Sequence, residues 1–367
     1  MNSRGAFPVL LLVLALVAPP GVAESLITAE TLAPLPDPVS NNALALVASQ
    51  QSIHIHSFLG LGSGKKRGDI LRSSFAWDSL SGQWSRLPDV PVDEGRLAAT
   101  AVTVGRQVYL FGGYSVAAYG GEVSTPGVFR LDDQGILRQV SKMPVPVDDT
   151  VALVYMNRYV YLVSGWHDVG NVNLVQVYDS VANTWQQAEP WPGAPVFGHA
   201  GGISGKTMVI CDGVRVAYPA DPGPRQFLPS AECWLGEVSE TDVRRIAWRR
   251  LDKHPGAARY RMAATGEENQ VVFAGGTDNP YNYDGVGYDG AAAEPIPAVF
   301  SFNIDSGEWR CQGNLAIATM DHRALLAHDG WFYLAGGMLA SQEVSDKLIR
   351  FRLPAENQPC QELGALR

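Results

Sequence analysis

Val108-Tyr109-Leu110-Phe111-Gly112-Gly113 is a run of β-branched, aromatic and aliphatic residues that ends on two glycines. Such a run reads as a buried strand leading into a tight turn. It returns as Val160-Tyr161-Leu162-Val163-Ser164-Gly165, as Val271-Val272-Phe273-Ala274-Gly275-Gly276 and as Phe332-Tyr333-Leu334-Ala335-Gly336-Gly337. Two degenerate copies, Ile53 to Gly60 and Met208-Val209-Ile210-Cys211-Asp212-Gly213, complete the set. Each copy is followed by a second strand, for example Ser74-Phe75-Ala76-Trp77-Asp78 or Val299-Phe300-Ser301-Phe302-Asn303. A Trp then opens a last strand at Trp84, Trp185, Trp248 and Trp309, with Leu137 in that place in the second repeat.

Units of about 50–60 residues with four short strands each predict a propeller rather than a chain of separate domains. The glycines fit where a side chain would collide with the neighbouring blade. The Trp fills the wedge between blades. The sixth copy ends near Leu353 without a fourth strand, and the stretch from Ile27 to Val39 supplies one. Closure by the N-terminal strand would remove the exposed edges of an open sheet.

The doublets, the aromatic positions of the following strand and the spaced Trp resemble the Kelch family over about residues 28–354. The resemblance implies an all-β fold: a six-bladed Kelch-type β-propeller, its last blade closed by the N-terminal strand.

Arg4 precedes an apolar run from Phe7 to Ala18, broken by Pro19-Pro20-Gly21 and followed by the small residues Val22-Ala23. Residues 1–23 therefore read as a signal peptide and residues 24–367 as one domain. The run is too short for a membrane span. The expected localisation is exported, either periplasmic or secreted. Four cysteines in such a chain permit two disulfides. Of the three pairings, Cys211–Cys233 and Cys311–Cys360 suit the repeat map best, with free buried thiols as the other reading.

The formal net charge of −9 gives no basic footprint for nucleic acid. Gly64-Lys65-Lys66-Arg67 is a short solvated run. His54 and His56 share a strand face, but two imidazoles alone do not make a copper site of the kind galactose oxidase, another Kelch-containing enzyme, requires. No metal and no cofactor are expected.

The long connections run from Gly60 to Asp69, Tyr114 to Pro126, Trp166 to Asn173, Asp212 to Ser230, Thr277 to Pro297 and Met338 to Asp346. All link second to third strands, so they share one face of the ring. Long loops on one face of a rigid scaffold mark a binding face. The stretch Tyr281-Asn282-Tyr283-Asp284, continuing to Tyr288-Asp289, mixes aromatic planes with amides and carboxylates. That mixture suits a sugar, and it equally suits a self-packed loop with Asx turns. Trp166 joins from another loop. The starts of the inner strands bring Arg96, His199, Arg261 and Arg323 to the same face. Together they would form a positive mouth for an anionic or polyhydroxylated ligand. The other reading is that they bind loop carbonyls.

Two stretches resemble the periplasmic N-acetylneuraminate epimerase family, the sialic acid mutarotases. They are Phe273-Ala274-Gly275-Gly276 with its long loop, and Asp221-Pro222-Gly223-Pro224-Arg225. The resemblance implies that Arg225 helps hold a sugar carboxylate. It also implies a catalytic Glu after Gly213, where this chain has Val214. Asp212, Asp278, Asp284 or Asp289 could supply a carboxylate and spacing singles out none; Asp212 and Asp278 are taken as the catalytic candidates. The expected partner is a small-molecule sugar or a glycan. The alternative is a non-catalytic module binding a glycan or a protein.

Overall fold

The computed structural model describes residues 26–218, 223–355 and 358–360. The signal peptide expected over residues 1–23 lies outside them, as do Asp221 and Pro222. No helix among the described residues is long and apolar enough to cross a membrane.

Each repeat forms one four-stranded antiparallel sheet. Blade 1 is Ala43–Ala48, Ile53–Phe58, Ser74–Asp78 and Gln83–Leu87. Blade 2 is Leu97–Val104, Gln107–Val116, Gly127–Leu131 and Leu137–Lys142. Blade 3 is Val151–Tyr155, Tyr159–Val163, Val175–Asp179 and Thr184–Gln187. Blade 4 is Ala200–Ser204, Thr207–Cys211, Cys233–Val238 and Ile246–Leu251. Blade 5 is Ala263–Glu267, Gln270–Ala274, Ala298–Asn303 and Glu308–Leu315. Blade 6 has Leu326–His328, Trp331–Ala335 and Leu348–Phe351, and its outer strand is Ala29–Thr31 from the N-terminal end. There Ala29 pairs with Phe351 and Thr31 with Ile349. The inner strands touch in cyclic order, the sixth against the first, so the ring is closed.

The glycine doublet works as its position predicts. A Cβ on Gly112 would run into the Val147 carbonyl of the next blade's approach, and one on Gly275 into the Thr319 carbonyl. The degenerate copies keep the backbone and change the residue. Leu59, Ser164 and Asp212 stand at the first doublet position with φ of 61°, 53° and 67°. Polar substitutes there make a bond that glycine cannot. Ser164 Oγ accepts from the Val196 amide at 3.0 Å.

The Trp residues tie blades together by more than packing. Trp84 Nε1 donates to Ala33 O at 2.9 Å, Trp185 Nε1 to Ser141 Oγ at 3.1 Å and Trp309 Nε1 to Asp252 O at 3.0 Å. Each bond reaches back to the chain before its own blade. An indole suits this wedge because its large apolar face packs while its N–H finds an acceptor.

Both expected disulfides are present, Cys211–Cys233 and Cys311–Cys360. The first joins the two middle strands of blade 4, where the cysteines are register partners. The second fastens Gln358–Pro359 along the outer strand of blade 5. Leu26–Ile27 pairs in parallel with the far end of that strand. Both ends of an otherwise open edge are thereby covered.

Candidate functional site

The long loops gather on one face, hereafter the upper face. Below them the six inner strands begin on a repeated backbone device. Asn41, Ala98, Asp149, Gly198, Arg261 and Asp321 all adopt the left-handed conformation, with φ between 49° and 66°. That conformation costs a non-glycine residue about 1 kcal/mol or more unless its surroundings fix it. Here a belt of hydrogen bonds fixes it. The amide of Asp149 donates to Ala98 O, that of Gly198 to Asp149 O, and that of Arg261 to Gly198 O, at 2.8–3.0 Å. His322 donates to Arg261 O, Asn41 to Asp321 O, and Ala98 to Asn41 Oδ1.

The belt's side chains plug the channel. Arg261 donates to Asp149 Oδ2 at 2.6 Å and to Asp321 Oδ1 at 2.9 Å, joining blades 3, 5 and 6. Arg323 also pairs with Asp149. Arg261 is 3% exposed and lies 4.8 Å over the Tyr260 ring. Burial pulls its pKa down, but Asp149, Tyr260 and Asp321 more than offset that, so it stays charged. Burial likewise pushes Asp149 up, and Arg261 and Arg323 bring it below the ordinary carboxylate value. The expected positive mouth is therefore neutralised by carboxylates from neighbouring blades.

The other basic residues of the strand starts bind carbonyls. Arg96 Nη1 donates to Gly112 O at 3.2 Å. His199 Nε2 donates to Val163 O at 2.8 Å, and burial lowers its pKa to about 4. Arg259 donates to Gly275 O and Ala298 O, both at 3.1 Å. Under the plug the channel holds a cavity of about 290 Å³. Its walls run from Thr150, His199 and Arg323 down to Val154 and Thr265.

Above the belt the loops pack on one another. Tyr281 is fully buried and Trp166 is 4% exposed, both within one apolar cluster that spans the blades. Tyr281 meets Tyr260 edge-on at 5.1 Å. Asp284 accepts the Val286 amide, and Asp289 accepts the Ala291 amide and Asn279 Nδ2. The Tyr281–Asp289 loop is thus built on Asx turns. Tyr283 is half-buried and Asp278 is exposed beyond it. Asp212 lies elsewhere. Its carboxylate is buried at the junction of blades 4 and 5, where it meets His254 Nε2 at 2.7 Å and accepts the Arg259 amide at 2.8 Å.

Side chains from the loops of blades 2 to 5 meet at the surface above this cluster. Arg225 is exposed and stacks over Trp166 at 5.0 Å and Phe227 at 5.2 Å. Its Nη1 donates to Val169 O at 3.2 Å. Tyr288 lies flat on Phe227 at 4.0 Å. Glu122, from the short strand Glu122–Ser124, is exposed and lies close enough to Arg261 and Arg225 to feel both charges. Burial raises its carboxyl, and Arg261 and Arg225 temper the rise. Burial also raises the Tyr288 hydroxyl, which stays neutral. Beneath Glu122, Ser124 Oγ donates to Asp148 Oδ2 at 2.6 Å. A cation on an aromatic platform, a carboxyl of raised pKa and a neutral phenol can hold an anionic, partly apolar molecule and move a proton on it.

Glu122 and Phe227 escaped the sequence reading. The only signals were alternation, Glu122 two residues before Ser124 and Phe227 two after Arg225. Arg261 and Arg323 were visible at the strand starts, but their pairing with Asp149 and Asp321 was not.

No family model matches the chain. Among curated proteins, Kelch-like protein 15 of Gallus gallus is 28% identical over 146 residues, covering 40% of this chain and 28% of that protein. The match thus spans less than a third of that relative's length. A solved structure, described as "Structure of YjhT", superposes with a TM-score of 0.69 at 15% identity, over 90% of this chain and 99% of the other. The chain is a six-bladed β-propeller, and over part of its length it is similar to a Kelch-like protein.

Proposed function

We propose that this propeller binds a carbohydrate bearing an anionic group in the cleft between Glu122, Arg225 and Tyr288, and exchanges its anomers there. Arg225 carries the reading. Stacking on Trp166 and Phe227 fixes its plane at the exposed surface instead of leaving it to wander in solvent. A planar guanidinium so held suits a carboxylate better than an ammonium would. The Phe227–Tyr288 stack offers an apolar surface for the C–H face of a sugar ring.

Anomer exchange needs a base for the anomeric hydroxyl and an acid for the ring oxygen. In this reading Glu122 takes the hydroxyl proton as the ring C–O bond breaks, and the Tyr288 hydroxyl protonates the ring oxygen. The open carbonyl turns, and the reverse transfers close the ring on its other face. No oxidant or metal enters the balance. Asp212, committed to His254 and Arg259, does not take part. The N-terminal segment supports action after export, in a periplasm or outside the cell.

A second reading is a non-catalytic module for a glycan or a protein. It is favoured by Val214 and by the committed Asp212, which leave no carboxylate just after Gly213. Freshly dissolved N-acetylneuraminic acid, followed by NMR, separates the two. Accelerated exchange that is lost in Glu122→Gln and weakened in Arg225→Ala supports catalysis. Binding without acceleration leaves the module, and no binding ends the sugar reading.

A further inference from the structure

The two disulfides sit in opposite settings. Cys211 and Cys233 are 0% and 1% exposed, register partners on the middle strands of blade 4. Cys311 and Cys360 are both partly exposed, one on the outermost strand of blade 5 and the other on the segment laid against it. Reduction needs a thiolate to reach a disulfide sulfur, so access alone separates the two bonds.

Position gives the exposed bond a task. The outer strand of blade 5, Glu308–Leu315, has 8 residues, where those of blades 1 to 4 have 5, 6, 4 and 6. A long edge is a ready template for stray pairing. Among the described residues it is the one outer edge with further strands on it: Gln358–Pro359 at one end and Leu26–Ile27 at the other. Leu26–Ile27 then leads into Ala29–Thr31, the outer strand of blade 6. Cys311 and Cys360 stand 49 residues apart, and the loop they close contains the other three strands of blade 6. Blade 6 is therefore tied to blade 5 from both ends of the chain, and one tie is covalent. That tie has little else behind it. Gln358–Pro359 makes a two-residue ladder, and Pro359 has no N–H to donate. The sulfur bond is what keeps the segment in place.

We propose that Cys311–Cys360 is a reversible redox clasp, which a dithiol opens in the folded protein while Cys211–Cys233 stays closed. Opening releases Gln358–Cys360 from the blade 5 edge and loosens blade 6. A thiolate of the dithiol attacks one sulfur of the clasp, the S–S bond breaks, and the other cysteine leaves as a thiolate and takes up a proton. The second thiol of the dithiol, once deprotonated, displaces the mixed disulfide and closes the dithiol's own S–S bond. Two electrons pass from the dithiol to the clasp, and both cysteines end as thiols. A small disulfide runs the exchange backwards and closes the clasp again.

The native protein is treated with dithiothreitol, sampled into iodoacetamide and mapped by peptide mass. Cys311 and Cys360 should be alkylated at least about tenfold faster than Cys211 and Cys233, because the buried bond must wait for a local opening. Hydrogen exchange on the same samples should rise in Glu308–Leu315 and in the strands of blade 6, and stay unchanged in blade 3. Replacing dithiothreitol with oxidised glutathione should restore the slow exchange. A double variant, Cys311→Ser with Cys360→Ser, should fold and show the raised exchange with no reductant present. Reduction of both disulfides at one rate overturns the clasp, as does selective reduction that leaves exchange at the edge and in blade 6 unchanged. A double variant that does not fold would make the bond a requirement of the ring and overturn its reversible opening.

Discussion

Arg261 and Arg225 belong to the same face of the ring and do opposite work. Arg261 is sealed under the loops between two carboxylates from other blades. Arg225 lies above them, exposed, with aromatic rings beneath it. In the belt, charge is spent on holding blades together. At the rim, Arg225 forms no ion pair among the described residues. Carboxylates from other blades meet the donors of Arg261, whereas Arg225 is held by ring stacking and one carbonyl.

Breaking the belt should cost most. Arg261→Ala leaves Asp149 and Asp321 buried with their shared cation gone. Loss of one partner from a buried pair costs about 3–5 kcal/mol, readable as a lower midpoint in urea denaturation. Arg225→Ala should move that midpoint by less than about 0.5 kcal/mol, since it removes an exposed contact. Equal losses in the two variants would erase the distinction.

Acid should strike the interior next. Burial lowers His56, His199 and His322 from 6.5 to about 4. The unfolded chain then takes up protons that the folded chain refuses. Stability from these groups is complete above about 6.5 and falls as pH drops towards 4, by up to on the order of 3 kcal/mol apiece. Denaturation series at pH 7, 5.5 and 4.5 should show the decline. A flat profile would mean that these imidazoles are not held neutral by burial.

The doublet offers a smaller, sharper contrast. Gly112 and Gly105 have φ of 59° and 62°, but a Cβ on Gly112 meets the next blade while one on Gly105 meets nothing within 4 Å. Gly105→Ala should cost about 1 kcal/mol from the backbone alone. Gly112→Ala should cost roughly 2–3 kcal/mol, the rest coming from the displaced blade approach. Smallest of all in stability is Glu122→Gln, expected to be neutral or slightly favourable at pH 7 because it removes a carboxylate that burial disfavours. Its effect should appear in anomer exchange, whose rate in the unaltered protein should rise with pH through a value above that of an ordinary glutamate.

Much of the ring could be read along the chain. The run from Val108 to Gly113 and its returns gave the blades, and Leu353 without a following strand pointed to the N-terminal stretch. Ala29–Thr31, near the start of the stretch from Ile27 to Val39, fills that place. The cysteine pairs that suited the same map best are the ones present, and free thiols, the other reading, are not found among the described residues. The candidate cleft was less legible. Tyr281 and Trp166 have the composition of ligand contacts and the burial of a core. Arg261 and Arg323 suggested a positive mouth until Asp149 was placed against both. Asp212 kept its doublet backbone and turned its carboxylate towards His254.

By itself the sequence determined the periodic part of this protein. Strand alternation, left-handed turns and blade wedges are local demands, and residues meet them within a few positions of one another. Only the tertiary structure decided which charges are cancelled and which are left open. That depends on neighbours more than 100 residues apart, such as Asp149 and Arg261, brought within hydrogen-bonding reach by closure of the ring.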